Sequence, residues 1–217
     1  MADEHNPEGS TPPPASGGAS EPPKPKEAPK APAAKPAAPA HAAPKPPAPM
    51  AATPWEGELP NQLKEHFGDQ ITACSSYLGQ NFVVAKPDAV IPILEFLKLE
   101  ADFDYLVDIT AVDYPNRAER FELFYILYSF PRNERVRVKT AIADGAQPQT
   151  AVPVHTGANW LEREVFDMFG IQFAGHPDMR RILLPEEWQG FPLRKEMSII
   201  QQDDRWVREN LGIESGQ

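Results

Sequence analysis

None of the first 54 residues is Val, Ile, Leu, Phe, Trp or Tyr. Any core must therefore come from the 163 residues that follow. The leading segment holds 16 of the 26 prolines and 15 alanines, with five lysines against five acids. It cannot bury enough apolar surface to offset the entropy of ordering it, so residues 1–54 are expected to form a disordered, partly polyproline-like tail. The Ala-Ala-Pro-Lys-Pro-Pro-Ala-Pro run around Lys45 reads as a semi-extended tether. A secretory signal needs an apolar stretch and a mitochondrial leader is rich in arginine. This segment has neither, and the first arginine is Arg117, so cytoplasmic residence is the expectation.

The remainder suits one domain that buries about 70% of its unfolded surface. The tail is neutral, so the formal charge of −10 falls on this domain. That balance argues against nucleic acid, which needs a basic patch, and against docking on anionic lipid. No run approaches the roughly 18 apolar residues of a membrane span. Cys74 is the only cysteine. One thiol makes neither an internal disulfide nor an iron–sulfur cluster with its usual four cysteine ligands, so Cys74 reads as a small buried apolar residue.

Leu59, Leu63 and Phe67 fall four apart, a short amphipathic helix ending at Gly68. Ile71–Tyr77 and Asn81–Ala85 read as strands joined by a turn at Leu78-Gly79-Gln80. Pro87 opens a second helix with a stripe of Val90, Ile93, Leu94, Leu97 and Ala101, and Pro92 is expected to distort its first turns. From Tyr105 the period changes to two, with Tyr105, Val107, Ile109 and Ala111 on one face. Phe121–Tyr128 is nearly all apolar, as in a central strand buried on both faces. Val136, Val138, Thr140 and Ile142 then alternate with polar residues. This order predicts an α+β class: a mostly antiparallel sheet with helices on one side over residues 55–170, followed by a long extended C-terminal segment, 171–217, that packs on a partner.

Asn159 to Lys195 crowds aromatics, acids, arginines and turn residues together. Asn159 is placed to cap a helix, with Glu162 reaching back and Gly170 closing it in the left-handed conformation. Trp160 or Leu161, Val165, Met168 and Phe169 form an apolar stripe, while Arg163 and Asp167 can pair four apart. Glu162, Glu164 and Phe166 point elsewhere, which suits a helix held between its own sheet and a neighbour. After Gly170, Gly175-His176-Pro177-Asp178 makes a turn and Pro185 ends the Ile182-Leu183-Leu184 run. The 25 residues from Ile171 to Lys195 still carry Phe173, Ile182, Leu184, Trp188 and Leu193. Long loops without regular structure tend to be functional. A partner surface with Trp188 and the arginines as anchors is the economical reading.

Other chemistries are weaker. Glu162, Glu164 and Asp167 could act as acid–base carboxylates, and a stand-alone acidic enzyme would use Glu164 and Asp167. No second catalytic constellation accompanies them, so ion pairing is favoured. His155 and His176 with the distant Cys74 give no zinc spacing, so His176 reads as a turn residue bonding locally. Arg180 and Arg181 could clamp a phosphate, but contacts to acid-rich protein fit them better. Asp102, Asp104, Asp108 and Asp113 match no calcium loop and read as solvated strand ends. The chain carries no GxGxxG, no P-loop and no Ser or Cys nucleophile motif.

Glu162-Arg163-Glu164-Val165-Phe166-Asp167-Met168-Phe169-Gly170-Ile171 is followed by Gly175-His176-Pro177-Asp178-Met179-Arg180-Arg181-Ile182-Leu183-Leu184-Pro185 and by Pro192-Leu193-Arg194-Lys195. With the strand from Asp108 to Asp113, these blocks resemble the signature of the C subunit of bacterial NADH-quinone oxidoreductase, respiratory complex I. The resemblance spans about Leu59 to Lys195. It implies a peripheral-arm scaffold with no redox centre, packed against the quinone-site D subunit and near the B subunit, on the cytoplasmic side of the inner membrane. It also implies that the chain binds no cofactor itself, while NADH, FMN, iron–sulfur clusters and quinone belong to the assembled complex. Partner contacts are then expected from Glu162, Arg163, Glu164, Asp167, Phe169, His176 and Asp178. Arg180, Arg181, Leu184, Trp188, Leu193, Arg194 and Lys195 complete that expected surface. The equivalent subunit of a membrane-bound hydrogenase, or of a dehydrogenase with another donor, is the alternative. The tail is not part of the family pattern.

Overall fold

A computed structural model describes residues 51–197 and 204–212. Residues 1–50, and with them nearly all of the expected tail, lie outside the described residues. The chain runs β1 (Thr53–Pro54), α1 (Glu58–Phe67), β2 (Ile71–Tyr77), β3 (Gln80–Ala85), α2 (Val90–Glu100), β4 (Tyr105–Asp113), β5 (Phe121–Ser129), β6 (Glu134–Ile142), α3 (Ala158–Phe169) and α4 (Asp204–Leu211). One six-stranded sheet has the order β1-β2-β3-β6-β5-β4. Every neighbouring pair is antiparallel except β3 and β6, which run parallel. The α+β class with a mostly antiparallel sheet is thus the observed one.

β1 uses two residues that the sequence reading assigned to the tail. Thr53 pairs with Ser76, and the Trp55 N–H donates to the Cys74 carbonyl at 3.1 Å. Trp55 is buried and anchors this edge, where Pro54 needs no outward donor. Leu78 and Gly79, at φ 52° and 73°, form the two-residue turn between β2 and β3, one residue shorter than expected. Pro87 starts a 3-10 turn that runs into α2. Pro92 falls in the first turn of α2, where its missing N–H had no partner to lose, so the helix is unbroken.

Helices cover only one sheet face. Val83, Ile109, Leu123, Tyr125, Leu127, Val136 and Val138 are buried on it against Leu63, Ile93, Leu94, Leu97 and Phe103. In β5 every second residue is fully enclosed, and Glu122, Phe124, Ile126 and Tyr128 are half-buried on the other face. The expectation of a strand buried on both faces is therefore corrected. Phe124 and Phe82 instead shield the stem of Lys139, whose Nζ lies 5.0 and 4.0 Å from their ring centroids. A bulge between Leu106 and Asp108 breaks the alternation of β4: Ile109 and Ala111 are buried, whereas Tyr105 is 51% exposed. α4 is helical within the stretch expected to be extended, and its Trp206 ring lies 5.6 Å from that of Trp188.

Candidate functional site

α3 starts one residue before Asn159, and no side chain caps it. Glu162 does not reach back. It is wholly buried and accepts from Thr150 Oγ1 and the Ala151 N–H, both at 2.6 Å. These two bonds tie α3 to the loop after β6. Burial pushes the Glu162 carboxyl up to about 7, against the downward pull of the two donors. Its neighbours are the buried Tyr125 hydroxyl, held above its usual range by burial and by Glu162, and His176 Nε2 at 4.0 Å. His176 Nδ1 accepts the Asp178 N–H at 3.0 Å, which leaves Nε2 to donate to the Asn159 carbonyl at 3.2 Å.

Asp167 and Arg163 do not pair with each other. Asp167 Oδ2 collects the backbone N–H groups of Ile182, Leu183 and Leu184 at 3.1, 2.8 and 2.9 Å, and Oδ1 receives Arg181 Nη1 at 2.6 Å. Burial raises the acid, but the Leu184 N–H, Arg181 and the other two amides outweigh it and hold the carboxyl below the usual range. Arg181 Nη2 goes on to the carbonyls of Trp188 and Gly190, both at 3.0 Å. Arg163 takes the carbonyls of Arg180 and Arg181 at 3.1 and 3.0 Å. Two side chains of α3 thus fold the next stretch back over the helix.

A second charged cluster fastens the end of that stretch. Asp113 receives Arg120 through both oxygens at 2.8 Å, and its Oδ2 also accepts the Lys195 N–H at 2.8 Å. The Arg120 bonds hold the Asp113 carboxyl below the usual range despite its burial. Arg194 donates Nε to the Phe169 carbonyl at 2.6 Å, and its other two nitrogens meet Asp144 at 3.1 Å. Arg120 also reaches Asp144 and Glu196. Gly170 closes α3 at φ 76°, ψ 18°, and the Phe191 ring lies where its Cβ would be, with the nearest ring atom 2.5 Å away.

Many of the side chains expected at a partner surface are engaged within this chain. Glu162, Arg163, Asp167, Phe169 and Trp188 are buried within this chain. His176 is enclosed at its side chain, and Arg181 and Arg194 keep only 14% and 17% of theirs exposed. An acid or arginine in a dense block looks alike in sequence whether it faces a partner or a backbone amide seventeen residues on. The stretch after Gly170 finds its surface on its own domain, where Ile171, Phe173 and Trp188 are buried. Glu164, Asp178, Arg180, Leu193 and Lys195 face outward, and Leu184 is half-buried. Arg180 and Asp178 pair at 2.8 Å on the surface. Trp160, Leu183 and Leu193 are 60%, 61% and 51% exposed. All three border α3: Arg163 sits over the Trp160 ring at 5.4 Å, Leu183 bonds Asp167, and the Leu193 N–H meets the Met168 carbonyl. Nothing in the sequence marks Arg120 or Asp144, and Asp113, expected as a solvated strand end, is instead buried and paired with Arg120. Only the break of apolar alternation at the end of β4 hinted at the role of Asp113.

Among the described residues no three His, Cys, Asp or Glu side chains converge to hold a metal ion, and no helix is long and apolar enough to cross a membrane.

The fold matches a chain in the structure of the membrane-bound sulfane sulfur reductase, an archaeal respiratory membrane complex, at a TM-score of 0.59 and 25% identity, covering 73% of this chain and 92% of that one. Residues 83–203 match the respiratory-chain NADH dehydrogenase 30 Kd subunit, and the chain belongs to that family. Relatives include the NADH-quinone oxidoreductase C subunit of Dinoroseobacter shibae, 47% identical over 116 residues, 52% of this chain and 54% of that protein. The C subunit of Trichlorobacter lovleyi is 44% identical over 137 residues, 62% of this chain and 85% of that one. The chain thus spans little more than half the length of the Dinoroseobacter protein.

Proposed function

We propose that this chain is a scaffold subunit, without a redox centre, of the peripheral arm of a proton-translocating NADH-quinone oxidoreductase. It supports electron transfer from NADH through FMN and iron–sulfur clusters in other subunits to quinone. Its partners are the quinone-site D subunit and the B subunit, and it is held on the cytoplasmic side of the inner membrane through the complex. The observation that carries this reading is that three exposed apolar side chains, Trp160, Leu183 and Leu193, border a helix whose buried acids are engaged within the chain. Exposed aromatic and aliphatic side chains around a rigid helix are what a permanent protein interface takes up. The lone Cys74, buried against the core, offers no cluster ligand set.

Affinity purification of the tagged chain from native membranes, with cross-linking, tests the proposal. The D and B subunits should co-purify, with cross-links near Arg180 and Lys195, and the isolated chain should not turn over NADH with a quinone analogue. Turnover by the pure chain, or recovery without respiratory subunits, would overturn it. The sulfane sulfur reductase likeness favours a second reading, the equivalent subunit of a hydrogenase-type or other-donor complex. The electron-input subunit that co-purifies decides between the two.

A further inference from the structure

α1 and α2 meet in a groove of about 390 Å³ that takes no part in the α3 contacts. Its floor is aromatic. Phe67 and Phe96 pack edge to face with centroids 5.8 Å apart, and the His66 ring lies 5.3 and 5.1 Å from them. Pro92 and Leu99 extend the floor, and Leu99 is 74% exposed. An adjoining hollow shares His66, Phe96 and Glu100 and adds Gln62 and Glu65. The rim therefore carries Glu65, Glu95 and Glu100, all exposed, and no Lys or Arg lines either hollow. Lys98, on α2, is turned elsewhere and donates to the Val154 carbonyl.

We propose that this groove docks an extended, proline-containing segment of a partner protein that bears lysine or arginine. The charge selects the occupant, because an apolar or acidic segment would leave three carboxylates facing it unpaired. A basic side chain meets them and can also lie over the Phe67 and Phe96 rings. The aromatic floor selects the conformation. Polyproline segments dock on aromatic-lined grooves, losing little entropy because they are already extended. An amphipathic helix needs anchoring pockets over about two turns, whereas the apolar floor here is a single patch of three rings, Pro92 and Leu99.

Titration of the full-length chain carrying Lys24→Gln, Lys26→Gln, Lys30→Gln, Lys35→Gln and Lys45→Gln, so that its own proline-rich segment offers no competing cation, with the peptide acetyl-PPKPPRPP-amide, followed calorimetrically and by aromatic-ring NMR shifts, tests the inference. Binding should saturate with shifts confined to Phe67, Phe96 and His66, and should weaken with added salt. The surface double variant Glu95→Gln/Glu100→Gln keeps the fold and should bind at least tenfold more weakly. Phe96→Ala should lose binding as well. No saturable binding, equal binding of a peptide with glutamates for its cations, equal binding of a peptide with alanines for its prolines, or an unchanged affinity of the Glu95/Glu100 variant would each overturn it. None of these outcomes depends on the respiratory assignment.

Discussion

The N–H of Leu184 donates to the Asp167 carboxylate at 2.9 Å, across seventeen residues. With Ile182, Leu183 and Arg181 on the same side chain, one buried acid sets where the extended stretch leaves α3 and which way it turns. Asp167→Asn is isosteric but removes the charge, facing an amide to three N–H groups and stranding Arg181. Breaking such a buried pair costs about 3–5 kcal/mol. A thermal melt of the isolated chain should fall accordingly, and proteolysis beyond Gly170 should quicken. A loss below about 1 kcal/mol would contradict the geometry.

The contribution of Glu162 to stability should decline with rising pH. Its folded value, about 7, lies above the ordinary 4.5, so the folded chain keeps a proton that the unfolded chain releases. The contribution is full below pH 4.5 and is lost as pH rises toward 7, over roughly 3 kcal/mol. Asp113 and Asp167 act in the opposite sense. Both are lowered, so their contributions are present above 3.8 and fade as pH falls through their folded values. His155, held down to about 4 by burial, acts against Glu162 by adding stability as pH rises from 4 toward 6.5, so the test is a difference: between pH 5 and 8 the denaturant midpoint of the native chain should fall relative to that of Glu162→Gln. A parallel slope in both would sink the assignment.

Gly170→Ala meets two obstacles at once. A left-handed residue with a Cβ costs about 1–2 kcal/mol, and that Cβ would overlap the Phe191 ring at 2.5–2.8 Å. A total loss of about 2–4 kcal/mol is expected. Phe191→Leu in the same background should recover part of it, and the absence of any recovery would show that the ring contact is immaterial.

Trp188→Ala and Trp160→Ser separate packing from docking. Trp188 is buried beside Trp206, so truncation should lower domain stability by about 3 kcal/mol or more. Trp160 and Leu183 are exposed, so Trp160→Ser and Leu183→Ser should change the melt by less than about 0.5 kcal/mol while reducing assembled complex on native gels. Normal assembly of the two exposed variants would count against the docking surface.

What the sequence revealed follows the reach of each interaction. Local signals, such as the four-residue spacing of Leu59 and Leu63, the Pro87 start and the Gly170 stop, need no knowledge of distant chain, and the structure has all of them. Three features depend on partners far away in sequence. The Lys195 N–H finds Asp113 at a separation of 82 residues, and Arg194 finds Asp144 at 50. The bulge at Leu106/Asp108 answers to β5 rather than to its own residues. The block that held the family resemblance was easy to see, yet the direction of its charges was not. A carboxylate that accepts backbone amides leaves no complementary residue in the sequence to mark it.

The parallel junction of β3 and β6 sets the order in which this sheet can be built. Val83 lies opposite Val138, more than fifty positions later. The β2–β3 hairpin leaves the ribosome long before its inner neighbour exists. At ~5–20 residues per second, its unpaired rim waits on the order of seconds. Nascent copies of this protein should therefore be most vulnerable to strand mispairing, and most dependent on chaperone shielding, just before Ile142 emerges.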